Sequence, residues 1–485
     1  MKSRFQRAPA SAVLAIICAC YLMIVLDVSI VITALPKIHR ALHFSDTSLS
    51  WVQNAYTLTF GGLMLLGARA GDLLGRRRTF VFGIALFTTA SMVGGVAQSS
   101  AWLLAARALQ GVGAAIAAPS SLSLLTVSFR EGRERTRALA WYSAVASGGG
   151  SVGLVLGGML TDWLSWRWGL FLNVPIGAAL IWLAPRYLPE TERQKGQFDL
   201  TGAATSTLGM TALVYGFVRA AADGWGDPIT IASFAASVAL LSAFVLTELR
   251  AEQPIIPMRL FASRERSGAY LARILVVSGI FAMFFFLTQF LQGARDYSPL
   301  RAGMAFLPMT LLVFSMVQVV PRIAPRIGNA RMLVGGLAVA MAGMAWISRV
   351  GTGTAYFPGI ALPLVLVGIG MGIAFIPLTA AGIAGVEPSD AGAASGLVNT
   401  AHQLGGTLGI AILVTVFSAA SRHTAEHLPA GASAATQSKL ELTHAVGSSL
   451  TGAAIFLALG LLVSILSVRQ PRSAAPAFAR AEAAG

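Results

Sequence analysis

Of all the side chains able to do chemistry, one carboxylate is out of place. Asp27, in Leu26-Asp27-Val28-Ser29, is the single acidic residue lying well inside an apolar stretch. An unpaired carboxylate there is costly, so the group takes a proton, meets a cation or faces water. A carboxyl that exchanges protons can couple proton movement to another event; the plainer reading is a structural polar contact. With the apolar stretch ending near residue 35, Asp27 should sit ~12 Å inside the end of its helix at 1.5 Å per residue. Arg107, in Ala105-Ala106-Arg107-Ala108-Leu109-Gln110-Gly111, should lie ~8 Å below the same surface on another helix. The two could form a pair that protonation of Asp27 breaks, or Arg107 could extend its head to the surface.

Gly149, Gly153 and Gly157 recur every four residues, with Gly158 beside them. That strips one helix face and permits close backbone approach, either as tight packing or as a seam about which two bodies rock. In Gly71-Asp72-Leu73-Leu74-Gly75-Arg76-Arg77-Arg78, Asp72 and Arg76 are four apart. They can form a hydrogen-bonded latch, with Gly75 and Arg77 in the same gate; the alternative is a plain basic connector. Gln53, Asn54, Tyr56, Asn399, His402 and Gln403 are polar residues within apolar stretches and candidates to line a substrate cavity. His402 is a second candidate proton carrier, or a hydrogen-bonded packing residue. Cys18 and Cys20, two apart on one helix, point to different sides, and no metal-ligand spacing occurs, so neither metal nor cofactor is expected. Nucleotide-binding, zinc-hydrolase and nucleophile-elbow signatures are missing, so ATP-driven pumping and enzymatic hydrolysis are unsupported.

The elements that must position these groups are membrane helices. Apolar residues make up 55% and charged residues 11% of the 485 positions, with mean hydropathy +0.71. A soluble domain carries roughly 25% charged residues. Stretches of the ~20 residues a membrane helix needs run near 11–35, 50–70, 79–98, 101–124, 138–160, 168–186, 200–220, 228–248, 268–290, 301–320, 331–349, 358–380, 394–419 and 446–468. These fourteen predict an all-α polytopic protein. The first is read as a retained helix, not a cleaved leader. The net charge of +15 sits in connectors, which argues against nucleic-acid binding. Basic residues cluster in alternate connectors: Lys2 to Arg7, Arg76 to Arg78, Arg130 to Arg137, Arg186 to Lys195, Arg250 to Arg266, Arg322 to Arg331, and Arg469 with Arg472. The positive-inside rule then puts both termini in the cytoplasm. Pro321-Arg322-Ile323-Ala324-Pro325-Arg326-Ile327-Gly328 echoes the Asp72 connector, so spans 1–6 match spans 9–14. The expected organisation is a six-helix half over 1–190, an inserted two-helix linker over 191–262, and a six-helix half with a short tail over 263–485. Paired halves let secondary transporters alternate the opening of a central site.

With these motifs in view, the chain resembles the fourteen-helix drug:proton antiporters of the major facilitator superfamily over nearly its whole length. Leu26-Asp27-Val28-Ser29-Ile30-Val31-Ile32-Thr33-Ala34-Leu35-Pro36 is similar to that family's first-helix motif. The Asp72 connector is similar to the superfamily's loop motif, and Arg107 to Gly113 to its fourth-helix motif. Trp166-Arg167-Trp168, Asn173-Val174-Pro175-Ile176-Gly177 and Tyr297-Ser298-Pro299-Leu300-Arg301-Ala302-Gly303 are typical of the group. The resemblance implies a major facilitator fold and proton-driven export of small hydrophobic or cationic compounds, drugs and antibiotics among them. It implies a multi-pass monomer of the bacterial inner (plasma) membrane whose partners are substrate, protons and lipid. It implies coupling by Asp27 and Arg107 and gating by the Asp72 loop. Two positions depart from the pattern: Leu154 follows Gly153 where the family carries Pro, and Leu73 follows Asp72 where it carries a basic residue. A specific metabolite exporter or importer on the same fold is the alternative. A sensor without transport fits poorly with the short Ala-rich stretch after Val468.

Overall fold

In hydrocarbon each backbone N–H and C=O must be satisfied within its own segment, so each apolar stretch closes into a helix. The computed structural model describes residues 9–468 apart from 131, 192, 194–197, 252–253, 255, 388–389 and 428–432. Its long helices are α1 (Ala10–Leu42), α2 (Trp51–Leu74), α3 (Arg76–Gly95), α4 (Ser100–Ser128), α5 (Arg133–Trp163), α6 (Trp166–Tyr187) and α7 (Leu200–Asp223). They continue as α8 (Pro228–Arg250), α9 (Arg264–Ala294), α10 (Pro299–Ile327), α11 (Asn329–Ile347), α12 (Ala361–Gly382), α13 (Ala391–Glu426) and α14 (Ala434–Ser467). The expected all-α set of fourteen is present. Three helices are interrupted: α6 at Leu172, α10 at Phe306, and α9 by a π-helical turn over Phe290–Ala294. The basic clusters Lys2 to Arg7 and Arg469 with Arg472, and the Lys195 end of another, lie outside the described residues.

Helix ends do not coincide with the ends of the apolar stretches. α1 continues past residue 35 through Pro36, Lys37, His39 and Arg40 to Leu42, and stops where His43 turns left-handed at φ 53°. A helix crossing into water keeps its backbone ladder although its side chains turn polar. Asp27 therefore lies near the middle of the 33-residue α1, about 22 Å from its end by helical rise, with the last turns of that helix beyond the apolar stretch.

α1–α6 pack around Ile17, Met23, Phe80, Phe87 and Leu124. The core of α9–α14 is built on Met283, Phe286, Leu337, Leu364 and Leu457. The echo between the two connectors has a backbone form. Gly75, joining α2 to α3, sits at φ 101°, ψ 127°, and Gly328, joining α10 to α11, at φ 89°, ψ 141°. Both corners require a positive φ that glycine adopts without a side-chain clash.

The odd-numbered helices start on one face, here called the basic face after its connectors. The two six-helix bodies touch along α5–α10 and α2–α13. On the face opposite the basic one, Gln292 Nε2 donates to the Thr33 carbonyl at 2.9 Å. A Cβ on Gly158 would fall 2.6 Å from the Pro299 carbonyl oxygen, and one on Gly303 would fall 2.3 Å from that of Leu154. The backbones of α5 and α10 thus meet directly there. Towards the basic face the α2–α13 line still holds where Leu65 reaches Gly396, but a Cβ on Gly392, at the start of α13, would meet nothing within 4 Å. A cleft of about 1070 Å³, lined by Ser11, Leu14, Arg133, Arg137 and Trp141 among others, opens at the basic ends of α1 and α5. α7 packs along both α2 and α13, across the line where the bodies meet, while α8 packs on α7 and is otherwise largely exposed.

Candidate functional site

Asp27 and Arg107 are both 0% exposed and meet inside the first six-helix body. Arg107 Nη1 donates to Asp27 Oδ2 at 2.5 Å. The other carboxylate oxygen accepts from Gln110 Nε2 at 2.7 Å and Asn173 Nδ2 at 2.8 Å. Gln110 sits one turn after Arg107 on α4, so it shares Arg107's face. Asn173 follows the break in α6, which brings its amide to Asp27 and to Ser91 Oγ at 2.9 Å. Arg107 Nε is anchored by the Val52 carbonyl at 3.2 Å, and its guanidinium lies 4.4 Å from the Tyr56 ring centroid. Arg107 therefore does not extend to the surface: its head is held between α1 and α2.

Such a pair is stable only when its remaining polar atoms find partners, and here one of them, Arg107 Nη2, does not. Arg107 Nη2, Asn173 Oδ1, Tyr56 Oη and all four side-chain polar atoms of Gln53 and Asn54 are buried without a hydrogen-bond partner. Buried polar atoms are nearly always paired, so an unsatisfied set of this size marks a place for water or a ligand. Four of the candidate residues (Gln53, Asn54, Tyr56 and Arg107) belong to it.

The Asp72 connector forms the expected local pair, with Arg76 Nε and Nη2 donating to Asp72 Oδ1 at 3.2 and 3.0 Å. It is also fastened to its own body by Glu190, just beyond α6. Glu190 Oε1 accepts from the Arg77 backbone N–H at 3.1 Å, and Oε2 lies 3.6 Å from Arg77 Nε and 3.8 Å from Arg78 Nε. A Cβ at Gly75 would sit 2.7 Å from Glu190 Oε1, so the corner glycine also makes room for the clasp.

The glycine face of α5 divides its work. Cβ atoms at Gly149, Gly153 and Gly157 would meet Leu22, Ser29 and Ile30 of α1 at 3.0, 2.6 and 2.5 Å, within one body. Gly158 alone of the four meets α10 of the other body. In the second body, Asn399 is exposed on α13 and Gln403 packs its Cβ on Gly61 of α2. His402 has a buried Nδ1 without a partner, edge-on to Phe281 and Phe375. Sequence reasoning gave no role to Gln110, Asn173 or Glu190. Gln110 was accessible from its helical offset to Arg107. Asn173 stands in a motif typical of the resembled family but acts across helices, and Glu190, which also acts across helices, leaves no local signal.

Comparison with known proteins fits this arrangement. The family model described as Major Facilitator Superfamily matches residues 17–410. The chain is 43% identical over 420 residues to the puromycin resistance protein pur8 of Streptomyces alboniger, covering 85% of this chain and 83% of that protein. It is 39% identical to the cephamycin export protein CmcT of Amycolatopsis lactamdurans, over 95% of this chain and 93% of that one. It is 34% identical to the lincomycin resistance protein of Streptomyces lincolnensis, over 81% and 82%. Among solved structures, the inward-facing, unoccupied bacterial homolog of the human lysosomal transporter Spinster superposes with TM-score 0.67 at 18% identity, covering 94% of this chain and 96% of that one. The nucleoside transporter NupG superposes with TM-score 0.66 at 11% identity, over 94% and 100%.

Proposed function

The chain belongs to the Major Facilitator Superfamily, a transporter and not an enzyme, and on that premise we propose that it exports small, largely hydrophobic compounds, antibiotics among them, in exchange for protons. The observation that carries the coupling is the Asp27–Arg107 pair, sealed from solvent and bound by three donors. The roles that the relatives' names carry, puromycin and lincomycin resistance and cephamycin export, support the class of cargo.

In this reading the basic face is cytoplasmic, as the positive-inside rule requires, and the bodies are closed at the outer ends of α5 and α10 and parted below. Cargo enters from the cytoplasm or inner leaflet. A proton arriving from outside neutralises Asp27, and Arg107 loses the charge that holds it to α1. The bodies then rock about the glycine crossings while the Asp72 loop, clasped by Glu190, moves with its own body. A proton moving inward supplies ~2.3 kcal/mol per 100 mV of membrane potential, plus the pH-gradient term, which supports uphill export.

Export of a radiolabelled neutral antibiotic such as chloramphenicol from cells lacking other pumps, with and without a protonophore, tests this function. The reading requires lower retention in expressing cells and loss of that difference with the protonophore. Equal retention, or protonophore-insensitive export, would overturn it.

A further inference from the structure

The first body has no net charge to offer a ligand at Asp27, because Arg107 neutralises that carboxylate. The second body holds a buried charge that is not balanced in this way. Arg273 lies on α9, nine residues beyond its start at Arg264, and is only 3% exposed. That puts it ~13 Å along the helix. Its guanidinium donates to Thr379 Oγ1 and lies 4.7 Å from the Phe375 ring centroid, both on α12. Among the described residues no carboxylate lies within ion-pair distance of it, so its charge is met only by a hydroxyl and an aromatic face.

A buried, uncompensated guanidinium is costly, and one retained inside a membrane helix marks a binding function. A second unsatisfied group shares its surroundings. His402, on α13, is edge-on to the same Phe375 ring at 6.1 Å and to Phe281 of α9 at 5.6 Å, with Nδ1 buried and unpartnered. α9 packs on both α12 and α13, which scarcely touch each other, so Arg273 and His402 converge between them. The planar guanidinium fork matches a carboxylate geometrically, and the two phenyl rings offer flat apolar walls for an attached aromatic body.

We propose that Arg273 and His402, walled by Phe281 and Phe375, form a subsite that binds the carboxylate or sulfonate of an amphiphilic cargo. This deepens the export reading and rests on it, and it adds anionic amphiphiles to the hydrophobic or cationic compounds that the family resemblance implies. Thr379 holds the guanidinium in place, and the imidazole supplies a further polar contact to the same anion.

The test is equilibrium binding of 2-naphthoate and of its neutral isostere 2-naphthamide to the full-length protein in phosphatidylcholine nanodiscs. The wild type is expected to bind the naphthoate about tenfold more tightly than the amide. Arg273→Gln should erase that preference while keeping amide binding, and Arg273→Lys should keep part of it. If Arg273→Gln binds neither compound, Arg273→Lys decides: retained preference supports the subsite, lost preference overturns it. Equal binding of both compounds by the wild type, or an unchanged preference in Arg273→Gln, overturns the subsite alone. Wild-type binding of neither compound also overturns the subsite, while the export reading stands or falls on the chloramphenicol assay. Loss of naphthoate preference on adding phosphatidylglycerol would assign the site to a lipid headgroup and overturn the cargo assignment.

Discussion

The Asp27 carboxylate and the Asn173 amide, 146 positions apart in sequence, lie 2.8 Å from one another. With Gln110 and Arg107 they close a ring of donors around the one acid at the middle of α1. The acid is therefore held as part of a network spanning α1, α4 and α6, so a change in its charge is felt by three helices.

Removing the Asn173 donor should weaken that network without abolishing the fold. A carboxylate that loses one hydrogen bond in a buried site costs about 1–3 kcal/mol. Asn173→Ala should lower the melting temperature of the purified protein in detergent by several degrees. An unchanged melting temperature would show that the amide is not a significant ligand of Asp27.

The outer crossing makes a steric prediction. A side chain at Gly303 would be driven into the Leu154 carbonyl, 2.3 Å from its Cβ. Gly303→Val should therefore prise α5 and α10 apart on the face opposite the basic one. Cysteines placed at Trp163 and Leu300 in a cysteine-free background should become more reactive to a membrane-impermeant maleimide, and transport should fall severalfold. Unaltered labelling would mean that the crossing yields elsewhere.

Glu190 fastens the Asp72 connector to its own body. Glu190→Gln keeps the backbone contact but removes the charge facing Arg77 and Arg78. Such exposed pairs contribute ~0.2–1 kcal/mol, so stability should barely move. Transport should fall severalfold if the loop must travel with α6, as measured by efflux rate at equal expression. Wild-type efflux would assign the clasp no part in gating.

A pH control comes from the α7–α8 connector. Asp227 caps α8 and is held down to about 2, first by the Arg219 hydrogen bond and then by the Thr230 backbone N–H. Its value in the fold is lowered, so its contribution is present above the ordinary carboxylate range and fades only as pH falls towards 2. Between pH 5 and 8 it is constant. Asp227→Asn should leave the shape of the transport–pH profile over that window unchanged, whatever it does to stability. A shifted profile would implicate this connector in proton coupling.

Much of this was legible in the sequence, for reasons that show where legibility ends. Apolar length alone marked fourteen helices, because hydrocarbon leaves the backbone no alternative. It misplaced the end of α1, since Lys37, His39 and Arg40 end the apolar run but not the ladder. Asp27 and Arg107 stood out because each is a charge without local company. Their partner Asn173 stood out only as part of a motif typical of the resembled family, because its contact with Asp27 exists only once α6 is folded against α1. Arg273 was visible as a basic residue within a span, but the aromatic walls that give it a role come from α9 and α12 together.

Proton coupling is tested most directly by uphill transport with Asp27→Asn in proteoliposomes carrying an imposed pH gradient, using radiolabelled chloramphenicol. The wild type should accumulate the compound on the acidic side against its gradient. Asp27→Asn should fail to accumulate it yet still exchange labelled for unlabelled compound when no gradient is applied. Full uphill accumulation by Asp27→Asn would contradict the account.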